Sequence, residues 1–344
     1  MNTRSIIRRR SALAVGATVL FAVAATGCSK TQTSGPGASS GGAGGKVKIG
    51  LVTKTESNPY FVKLRDSAKA QAGKQGAELV ALAGKFDGDN EGQINAIQNL
   101  VQQGVKGILI TPSNATGILD AIRQAQAKGV VVIALDTETD PADAVAATYA
   151  TDNTAAGKIL GQYVKARMGS TTPQLVTMDL DPSSSVGQQR HNGFLAGMGL
   201  AKNSPDVIGS ALTQGDQTKS QQAMENLLQR VAGKVNVVYN INEPAARGSY
   251  QALQAKGLAG KVTVAAIDGS CSGVADVKSG HFAATVMQFP KKMAEDGVDA
   301  VIAYAKTGKK PSGFVDTGSQ LITDKPMAGI PSKDSAWGAA NCWG

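Results

Sequence analysis

Residues 107–137 read Gly-Ile-Leu-Ile-Thr-Pro-Ser-Asn-Ala-Thr-Gly-Ile-Leu-Asp-Ala-Ile-Arg-Gln-Ala-Gln-Ala-Lys-Gly-Val-Val-Val-Ile-Ala-Leu-Asp-Thr. Two apolar runs, Gly107–Ile110 and Val130–Leu135, flank a stretch of helical pattern, Gly117–Lys128. The second run is apolar throughout, with none of the alternation of a strand that has one face in water. Strands covered on both faces read this way, as parallel strands do. Gly129 follows the helix where a left-handed C-cap is wanted. The stretch is one strand–helix–strand unit with short connections.

The same unit repeats in both directions. Before it the pattern predicts strands at 47–52 and 78–82 and helices at 60–75 and 91–103, with Phe61, Leu64, Ala68 and Ala72 on one helical face. After Asp152 it restarts, predicting helices at 154–168, 186–200, 220–231, 245–256, 274–279 and 291–306. Strands are predicted among them at 175–180, 207–212, 235–241, 262–267 and 283–286. Repeated βα units give parallel sheets with helices on both faces. Residues 46–344 are also more than one core usually spans. The expected fold is α/β, with two Rossmann-like lobes.

The N-terminus has a different composition. Arg4, Arg8, Arg9 and Arg10 precede an apolar run from Ala12 to Ala25, too short to span a bilayer comfortably and of the length of an export signal. The run ends at Ala25-Thr26-Gly27-Cys28, which resembles the lipobox of bacterial lipoproteins. Residues 1–27 therefore read as a signal peptide with Cys28 as the lipidated residue; the alternative is cleavage near Ala25 with Cys28 left as a free thiol. Residues 28–45, mostly Gly, Ser and Ala, read as a flexible linker standing the folded part off a membrane. Five of the 35 basic residues and none of the 26 acidic ones lie before residue 46. The folded part is thus nearly balanced, and the net charge of +9 is no signal for nucleic acid. Cys271 and Cys342 remain. In an exported chain they are expected to pair, the alternative being two separate buried thiols.

Ligands of open α/β sheets bind beyond the carboxyl ends of the strands. At those ends stand Lys54 to Phe61, Thr111, Asp136, Asn242, Asp268 and Gln288, with Arg190 near the start of a helix. Carboxylates accept, the guanidinium donates in a fixed fork, amides do both, and aromatic rings give flat apolar platforms. That inventory suits a sugar, whose hydroxyls donate and accept and whose C–H faces are apolar. Taken singly, Asp, Asn and Thr at strand ends often only cap the next helix.

The residues also carry a family resemblance. Thr-Lys-Thr-Glu-Ser-Asn-Pro-Tyr-Phe (53–61), Lys-Phe-Asp-Gly-Asp-Asn-Glu-Gly-Gln (85–93), Ile-Ala-Leu-Asp-Thr (133–137), Gly-Gln-Gln-Arg-His-Asn-Gly-Phe (187–194), Asn-Glu-Pro-Ala-Ala (242–246) and Asn-Cys-Trp-Gly (341–344) stand in order. Together they resemble the ribose-type periplasmic sugar-binding proteins, most of all the fructose-binding branch. The resemblance covers nearly all of residues 46–344. It implies a periplasmic binding protein fold of type I, whose lobes are joined by three crossovers near 151–153, 288–290 and 316–319. The lobes would comprise 46–152 with 289–317, and 153–288 with 318–344. It implies that Asn58, Asp136, Arg190, Asn242, Asp268 and Gln288 bond sugar hydroxyls while Phe61 and Tyr60 stack on the ring. Thr111 stands where the ribose binders have Asn. Thr137 replaces an Arg and Gly215 a stacking Phe, which points to a ketose or hexose larger than ribose. Lys54, Glu56, Asp87 and Asp89 are further candidates, as longer arms reaching a bigger sugar. Fructose is the first expectation, with ribose, xylose and polyols behind it. The implied partners are the monosaccharide and membrane-embedded ABC permease subunits, with a monomeric chain, no cofactor and the lipid as its own membrane contact.

Enzymatic readings find little support. No Gly-Lys pair is followed by Ser or Thr, so there is no phosphate loop of that type. The histidines are His191 and His281 alone, without a His-Glu-x-x-His motif. Gly269-Ser-Cys-Ser-Gly273 resembles a nucleophile elbow but has no evident histidine partner. A repressor built on the same lobes would need a DNA-binding helix pair where residues 1–45 read as leader and linker. A sensor lipoprotein is the remaining alternative.

Overall fold

The computed structural model describes residues 45–344 apart from Ala232. The predicted signal peptide, Cys28 and the linker up to residue 44 lie outside the described residues. In chain order the elements are β1 (Lys48–Thr53), α1 (Pro59–Lys74), β2 (Glu78–Ala83), α2 (Asn90–Gln102), β3 (Gly107–Ile110), α3 (Leu119–Ala127), β4 (Val131–Leu135), β5 (Ala147–Ala150) and α4 (Asn153–Met168). Then follow β6 (Leu175–Asp179), α5 (Ser185–Met198), β7 (Val207–Leu212), α6 (Gln217–Arg230), β8 (Val237–Asn240), α7 (Glu243–Ala255), β9 (Thr263–Asp268), α8 (Cys271–Lys278) and β10 (Ala284–Met287). The chain ends with α9 (Pro290–Thr307), β11 (Gly313–Asp316), β12 (Gln320–Ile322) and α10 (Ser335–Asn341).

The strands form two six-stranded sheets, ordered β11-β5-β4-β3-β1-β2 and β12-β10-β9-β8-β6-β7. Every pairing in the first is parallel. The second departs from the expected all-parallel pattern at one edge, where β12 runs antiparallel to β10. β12 has three residues and enters this sheet directly from β11 of the other sheet, running back along β10.

Strand alternation sorts the first sheet's side chains onto two helical layers. Leu109, Val131, Ile133 and Leu135 pack toward α1 and α9, against Leu64, Met293 and Val298. Ile108, Ile110, Val132 and Ala134 point the other way, toward α2 and α3, against Ile97, Leu100 and Ile122. The second sheet is the spine of one continuous cluster that includes Val176, Val238, Ala265, Leu160, Phe194 and Leu253. Each such fully buried Leu, Ile or Val contributes about 1.5–3 kcal/mol relative to exposure. Among the described residues no helix is long and apolar enough to cross a membrane.

The chain passes between the sheets three times: from β5 to α4, from β10 to α9 and from β11 to β12. At the third passage the Asp316 carboxylate accepts from the backbone N–H groups of Asp152 (3.1 Å) and Gly318 (2.8 Å), tying the first and third connections together. Along one lip of the cleft the lobes touch. The Ala115 N–H donates to Ser183 O (2.9 Å), the Ser185 hydroxyl to Glu138 O (2.7 Å) and the Gln189 amide to the Glu138 carboxylate (2.6 Å).

The predicted helices and strands have counterparts within a few residues, and four elements were not foreseen: β5, β11, β12 and α10. The three strands are three or four residues long, without the apolar run that marks a parallel strand. They exist through pairing with neighbouring strands, β5 with both β4 and the distant β11, and β12 with β10.

Candidate functional site

The carboxyl ends of β4, β8, β9 and β10 and the starts of α1 and α5 meet in a small, tight polar chamber between the two sheets. Its walls include Lys54, Asn58, Tyr60, Phe61, Asp87 and Asp136 from the first half of the chain. From the second come Arg190, Asn242, Asp268 and Gln288. Three predicted residues are elsewhere. Thr111 is fully buried beneath the chamber, its hydroxyl reaching Val52 O at 3.5 Å and its carbonyl accepting from Gln93. Glu56 is exposed and paired with Arg65. Asp89 caps α2, accepting from Gly92 N–H and Lys85 N–H (both 2.9 Å), and these bonds hold its carboxyl below the usual range.

Arg190 is the centre of the chamber. Its Nε donates to Asn153 Oδ1 (2.7 Å) and its Nη1 to Ile241 O (3.0 Å). The carboxylates of Asp136 and Asp268, one from each sheet, lie 3.9 and 3.8 Å from its nitrogens. All three are at most 5 % exposed. The helix carrying Arg190 sits unusually close to α4. A Cβ on Gly157 of α4 would lie 2.3 Å from Arg190 O, and one on Gly193 of α5 would lie 2.4 Å from Thr154 O. Only glycine lets the two backbones approach this far, and the approach brings Asn153 to Arg190. The signal was present as Gly-x-x-x-Gly at 157–161 and again at 193–197, and it was not read.

Asp136 holds a left-handed φ of 65°, costly for a non-glycine residue, and the Thr137 hydroxyl donates to its Oδ2 (2.8 Å). Thr137, which takes the place of an Arg, thus orients the carboxylate. Gly215 does more than open space: its φ is 63°, and a Cβ there would meet Asn242 Nδ2 at 2.4 Å. Asn242 caps α7 through Ala245 N–H (3.0 Å) while donating to Gly215 O (3.1 Å), and Asn58 caps α1 through Tyr60 N–H (3.0 Å). Both asparagines therefore serve as caps and line the chamber.

Asp268 accepts from Gln288 Nε2 (3.1 Å) and from Glu243 N–H (3.2 Å). Gln288 Oε1 is buried without a hydrogen-bond partner among the described residues, so it is an acceptor available to a guest. Burial, and after it the charge of Glu243, push the Asp268 carboxyl up to about 8 despite the opposing pull of Arg190. Glu243, which had no assigned role, is itself 1 % exposed. It accepts from Gly269 N–H (2.9 Å), Ser270 N–H (3.2 Å), the Ser270 hydroxyl and the Thr285 hydroxyl (2.8 Å), and so fixes the turn after Asp268. Burial raises its pKa as well. Across the chamber Lys54 Nζ lies 3.5 Å from Asp87 and 5.9 Å from the centre of the Phe61 ring. Burial raises the Asp87 carboxyl against the pull of that lysine. Tyr60 and Phe61 meet edge to face at 5.4 Å. Cys271 and Cys342 are disulfide-bonded, which consumes the thiol at the centre of the elbow-like segment. Among the described residues no group of three or more His, Cys, Asp or Glu side chains is placed to hold a metal ion.

Two mostly parallel sheets joined by three connections, with polar groups of both converging on one small chamber, define a two-lobed solute receptor. The chain belongs to the periplasmic binding protein domain family, whose model matches residues 49–310, and within it to the ribose-type sugar-binding proteins. It is 32 % identical over 264 residues to the ribose import binding protein RbsB of Salmonella typhimurium, covering 77 % of this chain and 86 % of that protein. Among solved structures it is similar to a galactofuranose-binding protein (25 % identity, TM-score 0.74, covering 80 % of this chain and 94 % of that one). It is also similar to an ABC transporter solute-binding protein of Agrobacterium vitis with bound D-fucose (26 % identity, TM-score 0.74, covering 83 % and 100 %).

Proposed function

We propose that this protein is the extracytoplasmic receptor of an ABC importer, tethered through a lipid on Cys28, and that it captures one monosaccharide, fructose first, with ribose, xylose and polyols behind it. The observation that carries this reading is the meeting of Asp136 and Asp268, from different sheets, around Arg190 in one chamber. At 3.8–3.9 Å the carboxylates stand outside direct hydrogen-bond range of the guanidinium. Their lone pairs, together with Gln288 Oε1, are left for a guest's hydroxyls, while Tyr60 and Phe61 offer its C–H face a platform. A neutral, many-hydroxyl ring matches that set.

Capture follows from the connectivity. With the three connections acting as a hinge, a sugar held by Asp268, Gln288 and Arg190 of one lobe gives Asp136, Tyr60 and Phe61 of the other something to close upon. The population then shifts toward the closed form. A few charge-assisted hydrogen bonds and one stack suffice for micromolar affinity, about 8 kcal/mol. The closed form is what permease subunits would recognise, and hydrolysis of ATP would belong to another chain.

A thermal-shift screen of residues 46–344 against fructose, ribose, xylose, allose and polyols tests the reading. A ligand at a hundred times its Kd stabilises by about 2.7 kcal/mol, several degrees in Tm. Absence of any shift across the panel, or an Asp136→Ala variant that keeps full affinity, would refute it.

A further inference from the structure

Trp343 is buried, 6 % exposed. Its peptide belongs to the second lobe. The Cys271 N–H donates to Trp343 O (2.9 Å), and the preceding Cys342 is disulfide-bonded to Cys271, three residues beyond Asp268. Its indole Nε1–H donates to the backbone carbonyl of Asp268 (3.1 Å). That carbonyl also accepts from the N–H of Gln288 (2.9 Å). The Trp343 ring, in contrast, packs in the first lobe's cluster with Tyr60, Phe61 and Met293. It meets Tyr60 edge to face at 5.4 Å, and the Tyr60 hydroxyl donates to Met293 Sδ (3.1 Å). One side chain therefore touches the backbone under the carboxylate of one lobe and the rear of the aromatic pair of the other.

We infer that Trp343 is a positioning residue of the ligand site, setting Asp268 and Tyr60 relative to one another in the closed form, and that the Cys271–Cys342 bond holds it there. The affinity consequence rests on the sugar reading above; the geometric one does not. A buried tryptophan that only filled space would affect Tm and leave the site alone. The indole N–H makes the distinction: Trp343→Phe keeps an aromatic ring in the cluster and removes the bond to Asp268.

The test compares the full chain with its Trp343→Phe and Cys271→Ser/Cys342→Ser variants. Calorimetry with D-fructose, D-ribose and D-allose is paired with hydrogen exchange of the ligand-free proteins. The wild type's best sugar should bind Trp343→Phe about fivefold to tenfold more weakly, the scale of one lost hydrogen bond. The double variant should lose at least as much. Ligand-free exchange should quicken around Gln288, and in the double variant also around residues 60–64, with the remaining core unchanged. In a Trp337→Phe background Trp343 is the sole tryptophan, and saturating sugar should change its emission. Wild-type affinity together with wild-type exchange near Gln288 in Trp343→Phe would overturn the inference. If the wild type bound none of the three sugars, the ligand reading would fall, and the exchange data alone would decide the positioning role.

Discussion

Replacing Asp268 by Asn tests the electrostatics of the chamber. In the folded protein this carboxyl is pushed up to about 8, first by burial and then by Glu243. In the unfolded chain an Asp titrates near ~3.9. Between those values the folded form holds a proton that the unfolded form has lost. The resulting stability is fully present on the acid side and drains away as pH rises toward 8. At about 1.4 kcal/mol per unit, the loss from pH 5 to pH 7 has a ceiling of about 3 kcal/mol. It is a ceiling because parting the lobes readmits water to the carboxyl and caps the cost. For a chain of this size 1 kcal/mol moves Tm by about 2 °C, so the ligand-free Tm should fall by up to about 5 °C over that interval. Asp268→Asn removes the titration and keeps the shape. Its Tm should match the wild type near pH 5, exceed it at pH 7 and above, and be accompanied by weakened sugar binding. Thermal melts of both proteins at pH 5, 6, 7 and 8 and fixed ionic strength measure this, since their difference cancels the titrating groups that do not feel Asp268 and leaves the coupled Asp268–Glu243 pair. Parallel Tm–pH lines would refute the assignment of the buried proton to Asp268.

Gly157→Ala should destabilise by about 1–3 kcal/mol, the usual cost of overpacking, because its Cβ meets Arg190 O at 2.3 Å. It should also weaken sugar binding by moving Arg190 away from Asn153. Gly161→Ala, which strikes Phe194 O at 2.2 Å one turn farther along, should destabilise comparably and disturb affinity less; denaturant titration and calorimetry read the two effects separately. Asp89→Ala should cost about 1 kcal/mol through loss of the α2 cap and leave sugar affinity unchanged. Thr111→Ala should leave affinity unchanged too, since its side chain touches no part of the chamber; a loss of binding in either variant would restore that residue to the site.

The elements that could be read in advance are those whose stability is written locally. Val131–Leu135 is apolar at every position because both its faces are covered, and that holds whatever its neighbours are. β5 and β11 carry no such mark; they pair with each other across 166 residues of sequence, Ala147 to Ala150 against Gly313 to Asp316. The same division runs through the site. Asp136 and Asp268 were legible as acids at strand ends and Asp89 as an acid in a polar loop, and composition does not distinguish a cap from a ligand group. Burial does: Asp89 spends its oxygens on two N–H groups of its own loop, while Asp136 and Asp268 are turned inward.

What no local pattern encodes is the spacing around Arg190. Two carboxylates and one guanidinium could have collapsed into close ion pairs that consumed one another's bonding capacity. The short bonds of the guanidinium go instead to Asn153 and to Ile241 O, and both acids are held about 4 Å away. Such a site has an excess of acceptors and, near pH 7, one carboxyl that favours its proton. A guest rich in O–H donors relieves both conditions. On the proposed sugar reading, a carboxylate or phosphate guest would meet repulsion from Asp136 as well as attraction from Arg190 and Lys54, whereas hydroxyls can satisfy acids and cations together.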